Sequence, residues 1–494
     1  MCYPFPRVFS APQLDVNSGT PLYRQLFESL RQSIDSGDLE KGSKLPATRE
    51  LAGLLGLNRA TIAAAYSLLE SDGYISGHVG RGSFVTGGAR RTLDWNALLA
   101  EQVLSAPAQA PPEAISFETS RPSERLFPMD AFRETCREVL DSPGAASILQ
   151  LGSPLGFGPL RQHLMDAARA EGVLGSGDDL IVTSGCQQGL DLLQRVLIRP
   201  GDRVALEDPV YPGIRNLFQI SGAQVTGIPV GPVGFDLAAL ERILDRDETR
   251  LLVVTPNFQN PTGATMPSHE RTALLQLAHA AGVVVVENDI YGELRYHGDP
   301  EPPLKRLDTS GSTVLLRSFS KIAFPGLRVG WVIGPAPLIA RMAEVKQLSD
   351  LHTDQLSQAI LLRFRESGRL AAHLRRMLEA GVKRLHAVLD ACERHLPEGS
   401  TFSRPQGGMN LWVRLPAPLD AGELLGRAQR EGVTYLPGKF FTVSRPDPGG
   451  FRLSFAGLPP EQIRRGLSLL GEVFSAELEG MRTRRSAAPA PALV

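Results

Sequence analysis

The most chemically suggestive residue of the chain is a lysine that directly follows a strand-like run. Lys321 lies in SFSKIAFPGLRVGW, with Ser318 and Ser320 before it and Arg328 seven residues after it. A lysine amine forms a Schiff base when it is desolvated and held near cations. Two hydroxyls and a guanidinium beside it can hold a phosphate group. The segment therefore predicts a reactive lysine next to a phosphate site, although an ordinary surface lysine stays open for this pattern alone.

Three other segments carry polar groups where strand-like runs end. Asp289 and Tyr291 follow the run VVVVEN, and a carboxylate there can pair with a protonated ring nitrogen. Asn260, in NPTG, can present its amide to a phenolate oxygen from a turn. In TSGCQQGLDLL a Ser-Gly turn precedes a helix start, whose free N–H groups bind phosphate. Each segment alone is equally compatible with an ordinary turn or loop.

The elements that must position these groups alternate from about residue 114 to residue 477. Apolar runs such as DLIVTSG, TRLLVVTPN and STVLLRSFS are unbroken and rich in β-branched residues, and helical patterns follow them. This alternation predicts an α/β fold with a mostly parallel, buried sheet. Because open α/β sheets bind ligands at the carboxyl ends of their strands, the four segments are expected to meet in one site.

The first part of the chain, residues 10–86, shows a different pattern. PLYRQLFESLRQSIDSG has helical spacing and ends at Gly37. Thr48 and Asn58 are candidate N-caps of two short helices separated by Gly56. Two such helices predict a helix-turn-helix, and the two Gly-rich strands of YISGHVGRGSFVTG predict a wing. A winged helix that serves only protein contacts remains the alternative.

Charge and cysteine content exclude several classes of protein. The chain has 52 Lys+Arg against 53 Asp+Glu, so any surface for nucleic acid must be local. Its 4 cysteines (Cys2, Cys136, Cys186 and Cys392) form no CxxC pair, which argues against a disulfide scaffold or a structural metal site. We expect a cytoplasmic protein without a signal peptide, because prolines and an arginine interrupt the first ten residues. No apolar run approaches the ~20 residues of a membrane helix.

Four regions follow from these patterns. Residues 10–86 are the predicted DNA-binding domain, and residues 87–113 are a linker with a short helix around Trp95 to Leu104. Residues 114–477 are the α/β domain, including a smaller C-terminal α/β subdomain. Residues 478–494, which are basic and then rich in Ala and Pro, are expected to be disordered.

The first region resembles the GntR-type winged helix in PLYRQL, GSKLPATRELAGLLGLNRATIAAAY and GRGSFV, which occur in the family's order and spacing. The resemblance implies a double-stranded DNA operator as partner. The residues that would contact DNA are Arg49, Asn58, Arg59, Thr61, Gly80 and Arg81, together with Lys44 on the same presumed face.

The larger region resembles the fold-type I aminotransferases in Ser-Gly-x-Gln, Asp-Pro-x-Tyr, Asn-Pro-x-Gly, Asp-x-Tyr, Ser-x-Ser-Lys and Gly-x-Arg-x-Gly. The resemblance implies pyridoxal 5'-phosphate in a Schiff base with Lys321. The other residues implied at the cofactor are Ser184, Gly185, Cys186, Ser318, Ser320 and Arg328 at the phosphate, Asp289 at the ring nitrogen, Asn260 and Tyr291 at the ring hydroxyl, and Tyr211 stacked on the ring. Arg452, with Asn260, would hold a substrate carboxylate.

One residue departs from the family's pattern. The family carries Tyr in a Tyr-x-Asp-Pro-x-Gly run, and this hydroxyl reaches the phosphate of the partner subunit. Here the run is LQLGSPLGFGPLR, and Leu151 occupies that place. We therefore expect the cross-subunit hydroxyl contact to be missing, and cofactor affinity to be lower unless another group substitutes.

The two regions in this order resemble the MocR/GabR-type transcription regulators. The resemblance implies a homodimer that senses an amino compound by exchange of the Schiff base and reads two DNA half-sites. The competing hypothesis is an active class I/II aminotransferase, which transfers an amino group between an amino acid and a 2-oxo acid. Lys321, Asp289 and Arg452 are compatible with either function.

Overall fold

The computed structural model describes residues 14–16, 18–78, 82–87, 95, 113–231, 234–246, 248–444 and 446–487, with side chains as far as residue 481. The chain divides into two compact units between residues 102 and 103, inside the predicted linker. Most of that linker lies outside the described residues, including the predicted helix beyond Trp95. Within the described ranges, no helix is both long enough and apolar enough to cross a membrane.

The first unit is a winged helix-turn-helix, as predicted. Its described elements are α1 (Leu22–Asp35), α2 (Thr48–Leu55), α3 (Arg59–Ser71), β1 (Ile75–His78) and β2 (Gly82–Val85). Gly56 turns the chain between α2 and α3 with φ +65°, a conformation that glycine adopts without steric cost. The two strands pair antiparallel, with Ile75 opposite Val85.

The N-termini of α2 and α3 are capped in different ways. Asn58 caps α3 as expected, because its Oδ1 accepts a hydrogen bond from the Ala60 N–H at 3.0 Å. The predicted cap of α2 is wrong: Ala47 is the N-cap, and Thr48 is already helical. Glu50 supplies the missing polar partner, since its carboxylate accepts from the Ala47 N–H at 3.4 Å.

The described strands of the second unit form an eight-stranded sheet. Its strands, in spatial order, are β4 (Asp178–Thr183), β11 (Gly330–Pro335), β10 (Thr313–Ser318), β9 (Val284–Asn288), β8 (Thr249–Val254), β5 (Arg203–Asp208), β6 (Gln224–Gly231) and β7 (Gly234–Phe235). Among these strands, β11 runs antiparallel to its neighbours β4 and β10, and β7 runs antiparallel to β6, whereas the other four neighbouring pairs are parallel. The prediction of a mostly parallel sheet is therefore confirmed.

Helices cover both faces of this sheet. Along β10, Leu315 packs in one apolar cluster, whereas Val314 and Leu316 pack in another. The described helices of this unit are α4 (Met129–Leu140), α5 (Ala145–Ile148), α6 (Gly158–Glu171), α7 (Cys186–Leu197), α8 (Pro212–Ile220), α9 (Leu237–Arg246), α10 (Ser268–Ala280), α11 (Leu304–Leu307), α12 (Ala336–Asp350), α13 (Gln355–Glu366), α14 (Arg369–His395), α15 (Ala421–Arg430) and α16 (Pro460–Ala487).

A smaller antiparallel sheet forms the C-terminal subdomain. Its described strands, in spatial order, are β12 (Thr401–Phe402), β13 (Asn410–Arg414), β16 (Gly450–Ser454) and β15 (Leu436–Pro437). A separate parallel pair joins β14 (Val433–Thr434) to β3 (Ile115–Ser116), which brings the start of the unit to its C-terminal part.

The predicted disorder from residue 478 is wrong for the first ten of these residues, which are helical. Helix α16 continues to Ala487. Leu478 and Met481 pack against the apolar cluster that contains Val388 and Phe474, so two further turns gain buried contacts. The basic composition of this stretch obscured those two apolar positions. Residues 488–494 lie outside the described part of the chain.

Candidate functional site

A cavity of about 400 Å³ opens at the carboxyl ends of β8, β9 and β10. Lys321 lies in the short 3-10 helix Phe319–Lys321 that directly follows β10. Its Nζ donates a hydrogen bond to the Ser120 carbonyl oxygen at 2.7 Å. The predicted residues that line this Lys321 cavity are Cys186, Tyr211, Asn260, Tyr291, Ser318, Ser320, Lys321, Arg328 and Arg452. The structure thus brings together most of the residues predicted from separate segments.

One end of the cavity is built to hold an anion. Arg328 has φ +54°, and its Nη1 lies 3.4 Å from Ser320 Oγ. Its Nη2 lies 3.5 Å from the carbonyl oxygen of Ser184. A Cβ at Gly185 would lie 2.5 Å from Nη2, so glycine is what lets the guanidinium approach the turn before α7. A guanidinium, hydroxyls and a helix N-terminus together suit a phosphate group.

The serines of this end form a local network. Ser318 Oγ lies 3.0 Å from both Ser320 Oγ and the Val329 carbonyl oxygen. Cys186 begins α7, and its Sγ donates to the Arg317 carbonyl oxygen at 3.2 Å. Burial raises the pKa of the Cys186 thiol to about 12, so it stays a neutral thiol near pH 7. Cys186 is therefore suited to shape the phosphate end and not to act as a nucleophile.

A hydrogen-bonded chain crosses the opposite side of the cavity. Asn260 Nδ2 donates to the Tyr291 hydroxyl at 3.4 Å, and Ser120 Oγ lies 3.4 Å from the same hydroxyl. Asn260 Oδ1 accepts from Arg452 Nη1 at 2.9 Å. The amide of Asn260 thus links a phenol, which can hold a ring hydroxyl, to a guanidinium, which can hold a carboxylate.

Arg452, on β16, is only 3% exposed. Its Nη2 bonds to the Glu118 carbonyl oxygen, and its guanidinium lies over the Phe441 ring at 4.9 Å from the centroid. Burial lowers the pKa of Arg452 to about 10, which leaves it charged at neutral pH. Its Nε is buried and has no hydrogen-bond partner among the described residues. A carboxylate in the cavity would compensate this buried charge.

The structure places Asp289 away from the other predicted cofactor residues. Its carboxylate does not line the Lys321 cavity; it lines a second cavity of about 290 Å³ together with Glu171 and Arg317. The residue that lines the Lys321 cavity from this strand is the preceding one, Asn288, beside Thr255. Side chains of adjacent strand residues point in opposite directions, so the sequence pattern alone left the orientation open by one residue.

Other residues of the site carried no sequence signal. Glu118, Thr119 and Ser120 reach the cavity from the segment after β3, and Ser120 meets Lys321 through a backbone carbonyl. Backbone groups contribute regardless of residue type, which is why no motif marks them. Tyr211, the N-cap of α8, lies at the rim and is 42% exposed.

The predicted DNA face lies on the first unit. Lys44, Arg49 and Arg59 are exposed, and in the described part of the chain none of them forms an ion pair. Thr61 is half-buried in the first turn of α3, and Asn58 caps that helix. Exposed cations on and before the two helices of a helix-turn-helix favour phosphate contacts. The predicted contacts of Gly80 and Arg81 lie outside the described residues.

Comparison with known proteins assigns both units. Residues 134–470 match the aminotransferase class I and II family. The chain belongs to this family. Residues 22–85 match the gntR family of bacterial regulatory proteins. Class I and II aminotransferases depend on pyridoxal phosphate, and the lysine, hydroxyl, amide and guanidinium groups of the Lys321 cavity are the groups that such a cofactor requires.

Relatives fall into two kinds. The probable rhizopine catabolism regulatory protein MocR of Rhizobium meliloti is 31% identical over 94% of this chain and 96% of its own length. The aromatic-amino-acid aminotransferase 1 of Thermococcus litoralis is 35% identical over 78% of this chain and 96% of its own. The crystal structure of LysN, the α-aminoadipate aminotransferase of Thermus thermophilus complexed with N-(5'-phosphopyridoxyl)-L-leucine, is 34% identical with a TM-score of 0.70, and the match covers 74% of this chain and 94% of LysN.

The regulator-like relative matches both units, whereas the two aminotransferases match less of the chain. A gntR-family DNA-binding domain followed by an aminotransferase-like domain is the architecture of the MocR-type transcription regulators. The resemblance predicted from the sequence is therefore confirmed.

Proposed function

We propose that the chain is a transcription regulator that binds operator DNA through its winged helix and senses an amino compound in the Lys321 cavity. The observation that carries the proposal is the convergence of Lys321, the phosphate end around Arg328 and the buried Arg452 on one cavity. The same chain carries exposed cations on a helix-turn-helix, and they form no ion pair with any residue that the structure describes. An amine-binding site and a DNA-binding unit in one chain are the two parts that a sensor needs.

Different cavity residues recognise the amine and the carboxylate of the ligand. When bound, pyridoxal phosphate supplies an aldehyde carbon that forms a Schiff base with a primary amine. Lys321 would be the residue that holds the cofactor's aldehyde carbon, and an incoming primary amine would compete with it for that carbon. The Ser120 carbonyl oxygen, 2.7 Å from Nζ, would then hold the free Lys321 amine. Arg452 selects amino compounds that also carry a carboxylate, such as α- or γ-amino acids.

The proposal includes a homodimer in which two winged helices read two half-sites. Leu151, at the place where the family carries a tyrosine that reaches the partner subunit, is 76% exposed. Leu149 nearby is 70% exposed. Two exposed leucines at this position support burial against a second copy of the chain.

The test is a gel-shift titration of DNA from upstream of the protein's own gene. It is run at one stated salt concentration, with and without pyridoxal phosphate, and with L-alanine, L-glutamate, β-alanine and γ-aminobutyrate in turn. We expect a specific shift whose midpoint changes with at least one amino compound when the cofactor is present. The Lys321→Ala variant should bind the same DNA but lose the response.

Two results would contradict the proposal. One is the absence of any specific shift, and the other is a response to the amino compound that Lys321→Ala retains. If a preparation without a specific shift transferred amino groups to a 2-oxo acid, the aminotransferase relatives would be the better guide to function. Arg59→Ala provides the matched control, because it should weaken DNA binding without changing the cofactor's absorbance.

A further inference from the structure

The end of strand β9 presents two adjacent polar residues to two different cavities. Asn288 lines the Lys321 cavity, whereas Asp289 lines the second cavity with Glu171 and Arg317. The pairing of β9 with β8 and β10 fixes this orientation, and the Asp289 N–H donates to the Leu316 carbonyl oxygen at 3.0 Å. A shift of one residue would exchange the two side chains, and this pairing prevents it.

Both carboxylate oxygens of Asp289 already accept hydrogen bonds on the side of the second cavity. Its Oδ1 accepts from Asn257 Nδ2 at 2.9 Å, and its Oδ2 accepts from Arg317 Nε and Nη2 at 3.1 and 3.0 Å. Arg317 also bonds to the Glu171 carboxylate, with Nη2 2.7 Å from Oε1. Turning Asp289 toward Lys321 would remove one of the two carboxylates that pair with the half-buried Arg317 guanidinium, which is unfavourable.

The side-chain amide of Asn288 still has an unused hydrogen-bonding atom. It is 6% exposed, and its Nδ2 donates to Thr255 Oγ1 at 3.2 Å. Its Oδ1 is buried and has no hydrogen-bond partner among the described residues. A buried amide with one free polar atom marks a place where a ligand group would be accommodated. Turning the amide by 180° presents Nδ2 there in place of Oδ1, so that Asn288 can donate to a ligand atom that only accepts, such as an unprotonated aromatic nitrogen.

Building on the proposed function, we infer that Asn288, and not Asp289, is the residue that faces the ring nitrogen of the cofactor. In pyridoxal phosphate this nitrogen lies opposite the aldehyde carbon, and the carbons bearing the hydroxyl and the phosphate arm flank that carbon. Lys321, the phosphate end around Arg328, and the Asn260–Tyr291 pair take those three groups. The buried polar side chains that remain in the cavity lining for the nitrogen are Asn288 and Thr255.

A neutral amide at this place changes the chemistry of the site. A nearby carboxylate favours the protonated form of its partner by about 1–3 pKa units, which is a factor of roughly 10 to 1,000 in the ratio of the two forms. Without it, the ring is a weaker electron sink, so removal of a proton from the ligand's Cα is disfavoured. Exchange of one amine for another needs no such sink. The cavity is therefore suited to reversible capture of an amine more than to turnover.

The other acids near this position do not replace the missing charge. Glu207 accepts from the Thr255 N–H at 3.0 Å, and burial raises its pKa to about 8. Glu287 precedes Asn288 on β9, so its side chain points away from that of Asn288, and it accepts from the Leu304 and Lys305 N–H groups at 2.8 Å each; burial and the neighbouring Asp289 raise its pKa. Asp289 is ion-paired with Arg317 in the second cavity.

The test reads the ring nitrogen directly. The full chain is loaded with pyridoxal phosphate labelled with ¹⁵N in the ring, and the ¹⁵N chemical shift is measured for wild type, Asn288→Asp and Asp289→Asn. We expect the shift of an unprotonated pyridine in wild type and in Asp289→Asn. Asn288→Asp should move the shift toward that of a pyridinium, and should accelerate a single-turnover amino transfer from L-glutamate at least tenfold.

A pyridinium shift in the wild type that Asp289→Asn abolishes would overturn the inference. The wild-type spectrum alone decides between the two protonation states, so the result stands even if a variant does not fold. The proposed function fails differently, because its failure is a chain without bound-cofactor absorbance or without a ligand-dependent change in DNA binding. A protonated ring in a chain that still responds to amines would reject only the role of Asn288.

Discussion

At the scale of single residues, the recognition of a ligand carboxylate depends on Arg452. Its guanidinium is held by the Asn260 amide, the Glu118 carbonyl and the face of Phe441. These contacts fix the plane of the guanidinium before any ligand arrives. A planar, fixed fork binds a carboxylate through two hydrogen bonds, which the ammonium group of a lysine does not reproduce.

Arg452→Lys should therefore weaken the binding of amino carboxylates selectively. Hydrogen bonds to charged groups contribute about 1.5–3 kcal/mol, so we expect affinity for L-alanine or L-glutamate to fall roughly 10- to 100-fold. The measurement is a titration of the bound cofactor's absorbance with each compound. Propylamine, which has no carboxylate, serves as the matched control and should bind both proteins equally. An equal loss for propylamine would indicate that Arg452 only supports the cavity through Asn260.

At the scale of elements, helix α3 depends on a residue that also lies on the predicted DNA face. Asn58 is exposed, and its Oδ1 accepts the Ala60 N–H at 3.0 Å. Aspartate caps helices as well as asparagine does, but it brings a negative charge to a surface that should approach phosphates. The two roles of Asn58 are thus separable by substitution.

Asn58→Ala should destabilise the first unit by about 1 kcal/mol, and Asn58→Asp should restore most of that stability. Asn58→Asp should nevertheless bind operator DNA roughly tenfold more weakly than wild type, since a DNA contact contributes about 1–3 kcal/mol. Chemical denaturation of the full chain and the gel-shift midpoint at fixed salt measure the two effects. Wild-type DNA affinity in Asn58→Asp would exclude Asn58 from the DNA face.

The sequence predicted elements better than orientations. Helix α3, the turn at Gly56 and the parallel strands that end at Asn288 and Ser318 all followed from caps, glycines and β-branched runs. The choice between Asn288 and Asp289 did not follow, because it depends on how β9 pairs with its neighbours. The backbone contact between Ser120 and Lys321 likewise depends on long-range packing that no local pattern encodes.

The length of α16 shows the same limit at the C-terminus. Its last turns are basic and Ala-rich, which indicated disorder from residue 478. The two apolar side chains Leu478 and Met481 pack against the apolar cluster that contains Val388 and Phe474, and the helix extends past them. Tertiary contacts of a few residues thus override the composition of a segment.

At the scale of the whole molecule, the chain joins two compact units with separate apolar cores. The first unit has its own cluster around Leu26, Leu51 and Ile62, and the second contains the Lys321 cavity. The proposed regulation requires that a ligand in the cavity changes the free energy of DNA binding. Such coupling is reciprocal by thermodynamic necessity, so DNA must change the affinity for the ligand by the same factor.

The central claim is tested most directly by closing this thermodynamic cycle. Operator affinity is measured by fluorescence anisotropy with and without the amino compound identified in the gel shift. Affinity for that compound is then measured from the cofactor's absorbance, with and without saturating operator DNA at the same salt concentration. We predict equal coupling factors in the two directions, in the range of about 5 to 150 that is typical of allosteric proteins. Operator affinity that stays unchanged while the cavity is saturated would contradict the account.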